Sequence, residues 1–268
     1  MRLLKVNADG TFSLKTFLAT QIPSYAILSH TWEWDNSQEV SFQDLSNGIG
    51  SSKAGYTKIQ FCGEQARKDG LQYCWIDTCC IDKTNNTELT EAINSMFRWY
   101  QNAAKCYVYL SDVSNHDVDL TTLSSASPRN NSAFKASRWF TRGWTLQELL
   151  APRIVCFYTK DGVHIGDKQS LEVDIHEITS IAISALRGDQ LSHFSVDERF
   201  SWAEHRQTSI EEDKVYCLLG IFNIHLPLIY GESKENALIR LKEEIDKRAG
   251  IKTLHRGTLA TVSPNPSR

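Results

Sequence analysis

The residues best suited to chemistry in this sequence stand at the ends of short apolar runs. His30 and Trp32 follow the run YAILS, which ends at Ser29, and Asp77 ends the run YCWID, with Asp82 shortly after it. Serine, histidine and aspartate side chains can move protons or bind hydroxyl groups, and an indole can stack on a planar ring. These residue types are therefore candidates for binding a polar ligand that contains a ring.

A second group of candidates lies further along the chain, where Arg142 could hold a phosphate. Glu148 follows Trp144 by four positions, so both side chains share one face of a predicted helix. The carboxylate either faces solvent or lies at the edge of a pocket, and spacing alone favours the solvent-facing position.

Each candidate also has a purely structural interpretation. Ser29 can cap or turn the backbone, and Asp77 and Asp82 can accept hydrogen bonds from loop amides. A histidine such as His30 is more often structural than catalytic, most tryptophans serve packing, and Arg142 can simply pair with a nearby carboxylate.

Other kinds of site are disfavoured. Cys79, Cys80, Asp82 and His30 could suggest zinc, but adjacent cysteines lack metal-ligand spacing, so no metal is expected. A nucleophilic cysteine activated by a histidine stays an open alternative, but no local sequence signature marks such a pair. No glycine-rich phosphate loop is present, so a nucleotide would be held without that fingerprint.

The candidates must be positioned by the elements around them. Apolar runs at 25–29, 73–77 and 106–110 alternate with helical patterns at 53–68 and 88–104. This βαβαβ order predicts a parallel sheet with right-handed crossovers, and the continuous apolar runs are typical of strands buried on both faces.

A short helix at 144–150 and a fourth strand at 154–158 extend the pattern. The predicted fold class is α/β: a flavodoxin-like parallel sheet flanked by helices, with a mainly helical C-terminal extension. Ligands of such sheets bind beyond the carboxyl ends of the strands, where the strand order reverses, so the candidate residues should line one cleft.

The patterns predict three segments: an α/β core at 1–160, a mainly helical part at 161–249 and a disordered tail at 250–268. Residues 114–136, rich in Ser, Asn, Asp and Thr, predict a long mobile loop. Ser209 and Glu212 resemble a capping box at the start of a helix that Gly220 would close.

Composition narrows the function classes. The 268 residues carry a formal charge of −3, which argues against a general nucleic-acid partner. The seven cysteines are odd in number and lie mostly in apolar runs, as expected for reduced thiols in the cytoplasm. No leader peptide and no membrane-spanning run is expected from the pattern of apolar residues.

Four long blocks of the sequence stand out: YAILSHTW at 25–32, WIDTCCID at 75–82, AINSMFRWYQNAAKCYVYLSDV at 92–113 and SRWFTRGWTLQELLAP at 137–152. They resemble the fungal HET (heterokaryon incompatibility) domain family. EEDKVYCLLGIF at 211–222 and PLIYGE at 227–232 are similar to blocks usually found downstream. A minor departure is Ile81-Asp82-Lys83 after Cys80, where many members carry Leu-Cys-Ile-Asp-Gln.

The resemblance implies a role in vegetative incompatibility and regulated cell death. HET domains typically belong to larger receptors or act with an allelic incompatibility partner, and they have been proposed as remote relatives of TIR domains. Many TIR domains cleave NAD⁺ at the nicotinamide–ribose bond with a helical glutamate, a position that Glu148 matches after Ser137-x-Trp139.

On this basis NAD⁺ is the expected substrate and Glu148 the expected catalytic residue, with no cofactor required. Self-association into a homo-oligomer would accompany activation. Seven residues are expected to bind the ligand: Ser29, His30, Trp32, Asp77, Asp82, Arg142 and Trp144. The alternative is a non-enzymatic TIR-like adaptor that signals by homotypic association.

Overall fold

The structure is a computed structural model that describes residues 1–117 and 132–259, with side chains up to residue 250. Its described residues form one sheet of seven strands in the order β2-β1-β4-β3-β5-β6-β7. The strands are β1 Arg2–Val6, β2 Phe12–Thr16, β3 Ala26–His30, β4 Tyr73–Trp75, β5 Lys105–Leu110, β6 Val155–Thr159 and β7 His164–Asp167.

The four predicted strands are present as neighbouring parallel strands. β4, β3, β5 and β6 pair in parallel, and β3, β5 and β6 are buried almost throughout. Their order is the second, first, third and fourth in the chain, so it reverses between β3 and β5. The prediction of an α/β fold with a parallel core is confirmed.

The sheet extends beyond the predicted parallel strands, because antiparallel strands that the sequence analysis did not name lie at both edges. β1 and β2 form a hairpin at one edge, and β7 folds back on β6 at the other. Both hairpins turn at an Asp-Gly pair, where Gly10 and Gly162 have φ of +85° and +79°. Asp-Gly is a hairpin signal, and it was available in the sequence. The flavodoxin-like description of the whole sheet stays a prediction.

Helices cover both faces of the sheet. The helices are α1 Phe42–Ser46, α2 Tyr56–Lys68, α3 Asp77–Cys80, α4 Asn86–Asn102, α5 Ser132–Ala136, α6 Thr145–Leu150, α7 Glu172–Thr179, α8 Ile183–Leu186, α9 Val196–Ser201, α10 Asp213–Tyr216, α11 Leu219–Phe222 and α12 Lys234–Leu259. In β5, Tyr109 packs on Phe61 of α2, whereas Cys106 contacts the backbone of Glu148 in α6. Since positions 106 and 109 point to opposite faces of a strand, α2 and α6 flank opposite sides.

The C-terminal part differs in detail from its sequence pattern. β7 belongs to the sheet, so the predicted boundary at 160 falls within the β6–β7 hairpin. Ser209 does not cap α10, which begins after Glu212 without a side-chain cap, and Gly220 lies inside α11 instead of ending a helix. A disordered tail was predicted to begin at Gly250, but helix α12 continues past this residue to Leu259.

Two predicted segments fall partly outside the described residues. The predicted loop at 114–136 contains a described 3₁₀ turn at Asn115–Asp117 and helix α5 at Ser132–Ala136, but residues 118–131 between them are not described. Residues 260–268 of the predicted tail are likewise outside the described part of the chain.

Candidate functional site

The candidate site lies at the carboxyl ends of β3 and β4, against helix α6. β3 ends at His30, β4 is followed at once by α3, which begins at Asp77, and α6 carries Glu148. Because parallel strands end at the same edge of a sheet, these three segments meet there.

A buried chain of hydrogen bonds joins Glu148 to the first strand of the parallel core. The Ser29 hydroxyl donates to Glu148 Oε2 at 2.5 Å and accepts from Trp139 Nε1 at 2.8 Å. Ser29 and Trp139 are almost fully buried and Glu148 is 7% exposed. The solvent-facing position that spacing had favoured for Glu148 was therefore wrong.

Burial sets the protonation of this carboxyl group. Desolvation raises the pKa of Glu148 to about 8, and the negative charge of Asp77 adds to the rise. The Ser29 hydrogen bond, the nearby Tyr100 hydroxyl and Arg206 act in the opposite direction and are outweighed. Glu148 is consequently protonated in most molecules at neutral pH, and a perturbed carboxyl of this kind is typical of functional sites.

Asp77 is the centre of a second cluster, at the outer side of the site. Its carboxylate contacts His30 Nε2 at 3.0 Å, Trp32 Nε1 at 3.1 Å and Lys83 Nζ at 3.2 Å. Burial would raise the pKa of Asp77, but the Lys83 charge and the His30 contact outweigh it and hold the pKa well below its usual range. Asp77 is therefore a fixed negative charge beside a protonated Glu148.

His30 is held by this cluster. Its ring is buried, Nε2 faces Asp77, and Nδ1 has no hydrogen-bond partner among the described residues. Nδ1 can therefore donate a hydrogen bond to, or accept one from, a polar group that enters the site.

Arg142 and Trp144 lie in a different part of the same region. Arg142 Nη2 donates to Ser209 at 3.1 Å, and Trp144 Nε1 donates to Asp213 at 3.1 Å. Both side chains thus contact the C-terminal part of the chain. Their assignment to phosphate and ring binding stays a prediction.

Asp82 stands apart from the other candidates. Its carboxylate accepts hydrogen bonds from Gln43 Nε2 at 2.7 Å and from the Thr84 amide and hydroxyl at 3.0 and 2.6 Å. These contacts close a turn before α4, which is the structural role that the sequence left open for this residue.

Three residues that the sequence did not single out support α6 or the strand β3 beside it. Arg206 is 5% exposed and donates through Nη1 to the Arg142 carbonyl and the Thr145 hydroxyl. Lys168 donates to the carbonyls of Leu149 and Pro152 at the end of α6. The third, Tyr100, donates to the Leu28 carbonyl at 2.9 Å. No local pattern marks these residues, because their partners are distant in sequence.

Two cavities of the described chain lie away from this site. One of about 370 Å³ is lined in part by Arg153, Lys168 and Arg187, and one of about 330 Å³ is lined in part by Arg2 and Glu88. Neither cavity touches Glu148, and burial of this side chain closes its carboxyl group to solvent.

Comparison with known proteins identifies the family. The family model described as heterokaryon incompatibility protein (HET) matches residues 25–133. The vegetative incompatibility protein HET-E-1 of Podospora anserina is 54% identical over 251 residues, which are 93% of this chain. The chain carries a HET domain. The chain spans 18% of the length of that relative. No solved structure matches the chain.

The HET domain match includes only part of the site. Ser29, His30 and Asp77 fall within residues 25–133, whereas Glu148 follows the matched segment. The Ser29–Glu148 hydrogen bond therefore joins the matched segment of the HET domain to the chain that follows it.

Two further properties bear on the sequence predictions. All seven cysteines are free and buried, in agreement with the expected reduced thiols. In the described ranges 1–117 and 132–259, no helix has the length and apolar character needed to cross a membrane. The cytoplasmic location stays a prediction.

Proposed function

We propose that this HET domain is the effector of a fungal non-self recognition system and triggers regulated cell death. The support is the family match and the 54% identity to a vegetative incompatibility protein. An upstream receptor or an allelic incompatibility partner would supply the trigger, in the cytoplasm, and self-association of the domain would follow.

The proposed chemistry is hydrolysis of NAD⁺ at the nicotinamide–ribose bond. Cleavage of that bond sends its electron pair to the pyridinium ring, so nicotinamide leaves as a neutral molecule and the ribose becomes an oxocarbenium-like cation. Water then adds to the ribosyl carbon and releases a proton, giving ADP-ribose. The reaction needs no further cofactor.

The observation that carries this proposal is the carboxyl group of Glu148 beside Ser29 at the strand ends. An ionised Glu148 would stabilise the ribosyl cation as it develops. Burial raises the pKa of Glu148 to about 8, and the positive charge of bound nicotinamide would lower it again. Substrate binding would thus ionise the residue that the reaction requires.

Opening of the site belongs to the proposal, because Glu148 is 7% exposed. Self-association is the step that would open it, so activity should appear in the associated protein. A non-enzymatic adaptor is the second candidate, and the same closed carboxyl group favours it.

The test is NAD⁺ turnover by the purified full chain at high protein concentration. Glu148→Ala and Glu148→Gln should each reduce turnover by about two to three orders of magnitude, the effect of losing one electrostatic stabiliser. Glu177→Gln is the matched control, since Glu177 is 57% exposed and pairs with Lys135. Turnover by folded Glu148→Gln at the wild-type rate would overturn the catalytic assignment. Absence of turnover in the wild type, with killing that tolerates Glu148→Gln, would favour the adaptor.

A further inference from the structure

Two tryptophans stand exposed on the loop that leaves β3 beside the candidate site. Trp34 is 89% exposed and Trp32 is 40% exposed. An indole that remains in water retains a large apolar face that a stacked ring would bury. Trp32 is tied to the site through its hydrogen bond to Asp77.

A cation lies over each of these rings. Lys83 Nζ is 3.8 Å from the Trp32 ring centroid, and the Arg138 guanidinium carbon is 4.8 Å from that of Trp34. Cation–π contacts of this kind hold a positive charge against an aromatic face. The loop therefore presents indole surface and positive charge side by side.

Arg138 is held in place by the ends of two parallel strands. Its Nη2 donates to the Trp32 carbonyl at 3.0 Å and to the Ser111 hydroxyl at 3.3 Å, while its backbone amide donates to Asp112. Within the described part of the chain, no hydrogen bond involves its Nη1 or Nε, so these donors face no competing protein acceptor. A guanidinium that is fixed along one edge and open along another is suited to a phosphate group.

The nearby carboxylates are already engaged. Asp77 accepts from His30, Trp32 and Lys83. Asp112 accepts from Ser137 and the Arg138 amide. Asp213 accepts from Trp144 and Tyr230. Glu33 pairs with Lys58, and Asp35 accepts from the Ser37 amide. Among the described residues, none of these carboxylates occupies Nη1 or Nε of Arg138.

We propose that Trp34, Trp32, Arg138 and Lys83 form a subsite for a nucleoside diphosphate, with the base on the Trp34 indole and the diphosphate on Arg138 and Lys83. The choice of the adenosine diphosphate half of NAD⁺ as its occupant rests on the proposed function. Arg138 then takes the phosphate role that the sequence assigned to Arg142, whose Nη2 is bonded to Ser209. The subsite and Glu148 lie at the same edge of the sheet, so one dinucleotide could contact both.

The first experiment is calorimetric titration of the full chain with ADP as the probe. Trp34→Ala should weaken ADP binding by about 5- to 100-fold, the range for loss of one base–aromatic stack, and Trp34→Phe should restore most of it. Arg138→Gln should weaken binding by about tenfold or more. Arg187→Gln is the matched control, because Arg187 is an exposed arginine paired with Glu172, and it should bind ADP as the wild type does.

In the titration, the subsite is overturned by the absence of ADP binding to the wild type or by equal binding to folded Trp34→Ala. The proposed function is tested separately with Glu148→Gln. This variant should lose NAD⁺ turnover and bind ADP as the wild type does. ADP binding without any NAD⁺ turnover would keep the subsite and reject the enzyme. NAD⁺ turnover with KM unchanged in Trp34→Ala would keep the enzyme and reject the subsite.

Discussion

At the scale of single residues, the protonation of Glu148 links the site to the stability of the fold. Its pKa is raised by burial from 4.5 to about 8. The folded protein therefore holds a proton that the unfolded chain releases as pH increases between these two values. The stability that the protonated form provides is complete below about pH 4.5 and is lost as pH rises through about 8.

The pH dependence gives a prediction for Glu148→Gln. The amide cannot ionise, so the variant should lack the decline in unfolding free energy, a few kcal/mol, that the wild type shows over this range. Urea unfolding at a series of pH values measures the difference. Parallel stability curves for the two proteins would contradict the protonated Glu148. The exposed Glu177→Gln should follow the wild-type curve.

Ser29 offers a second test of the same hydrogen bonds. Ser29→Ala leaves the Glu148 carboxyl and the Trp139 indole N–H without this partner, and should lower the free energy of unfolding by about 1–3 kcal/mol. Because the Ser29 bond lowers the pKa of Glu148, that pKa should rise further in the variant. Ser13→Ala, on half-buried β2, should change stability by less than about 0.5 kcal/mol. A Ser29→Ala protein as stable as Ser13→Ala would contradict the geometry.

At the scale of elements, the packing of α11 on α4 depends on a glycine. A Cβ at Gly220 would fall well inside van der Waals contact with Phe97 of α4. Gly220→Ala should therefore lower the unfolding free energy by about 1–3 kcal/mol, despite the better helix propensity of alanine. Gly250→Ala is the control, because nothing lies near the added Cβ within α12, and it should be neutral or stabilising. Thermal unfolding compares the two, and equal midpoints would refute the close approach.

An element could be predicted from the sequence when its signal was strong and local. Continuous apolar runs mark the strands β3, β4, β5 and β6, and helical periodicity marks α4. Each of these signals is contained in one short stretch of chain. The edge strand β2 is half-buried and short, so its apolar pattern is weak, and the Asp-Gly turn was the stronger sign. Gly220 was misread because a glycine that ends a helix and one that allows close packing look alike in sequence.

The site was predictable to a similar extent. The strand-end rule brought Ser29, His30 and Asp77 together, and family resemblance added Glu148. The support from Arg206 and Lys168 was not predictable, because they donate to backbone carbonyls. Every residue type has such a carbonyl, so the sequence does not mark the acceptor. The same holds for Arg138, whose partners come from the ends of β3 and β5.

At the scale of the whole molecule, the closed site leads to a prediction on assembly. If self-association opens the site, NAD⁺ turnover per molecule should rise with protein concentration instead of staying constant. Turnover measured across a dilution series, beside sedimentation of the same samples, tests this. Constant turnover per molecule in a protein that remains monomeric would reject self-association as the activating step. ADP added to the series should not by itself raise turnover.

The long reach of the Ser29 hydrogen bond has a consequence for the order of events during synthesis. Ser29 and Glu148 are 119 residues apart in the chain, and Arg206, which supports α6, comes later still. A chain that emerges from the ribosome N-terminus first exposes Ser29, His30 and Asp77 well before their partners exist. The polar centre is therefore assembled only when translation of the domain is nearly finished. The proposed activity would be withheld from every chain that ends before Glu148 and Arg206.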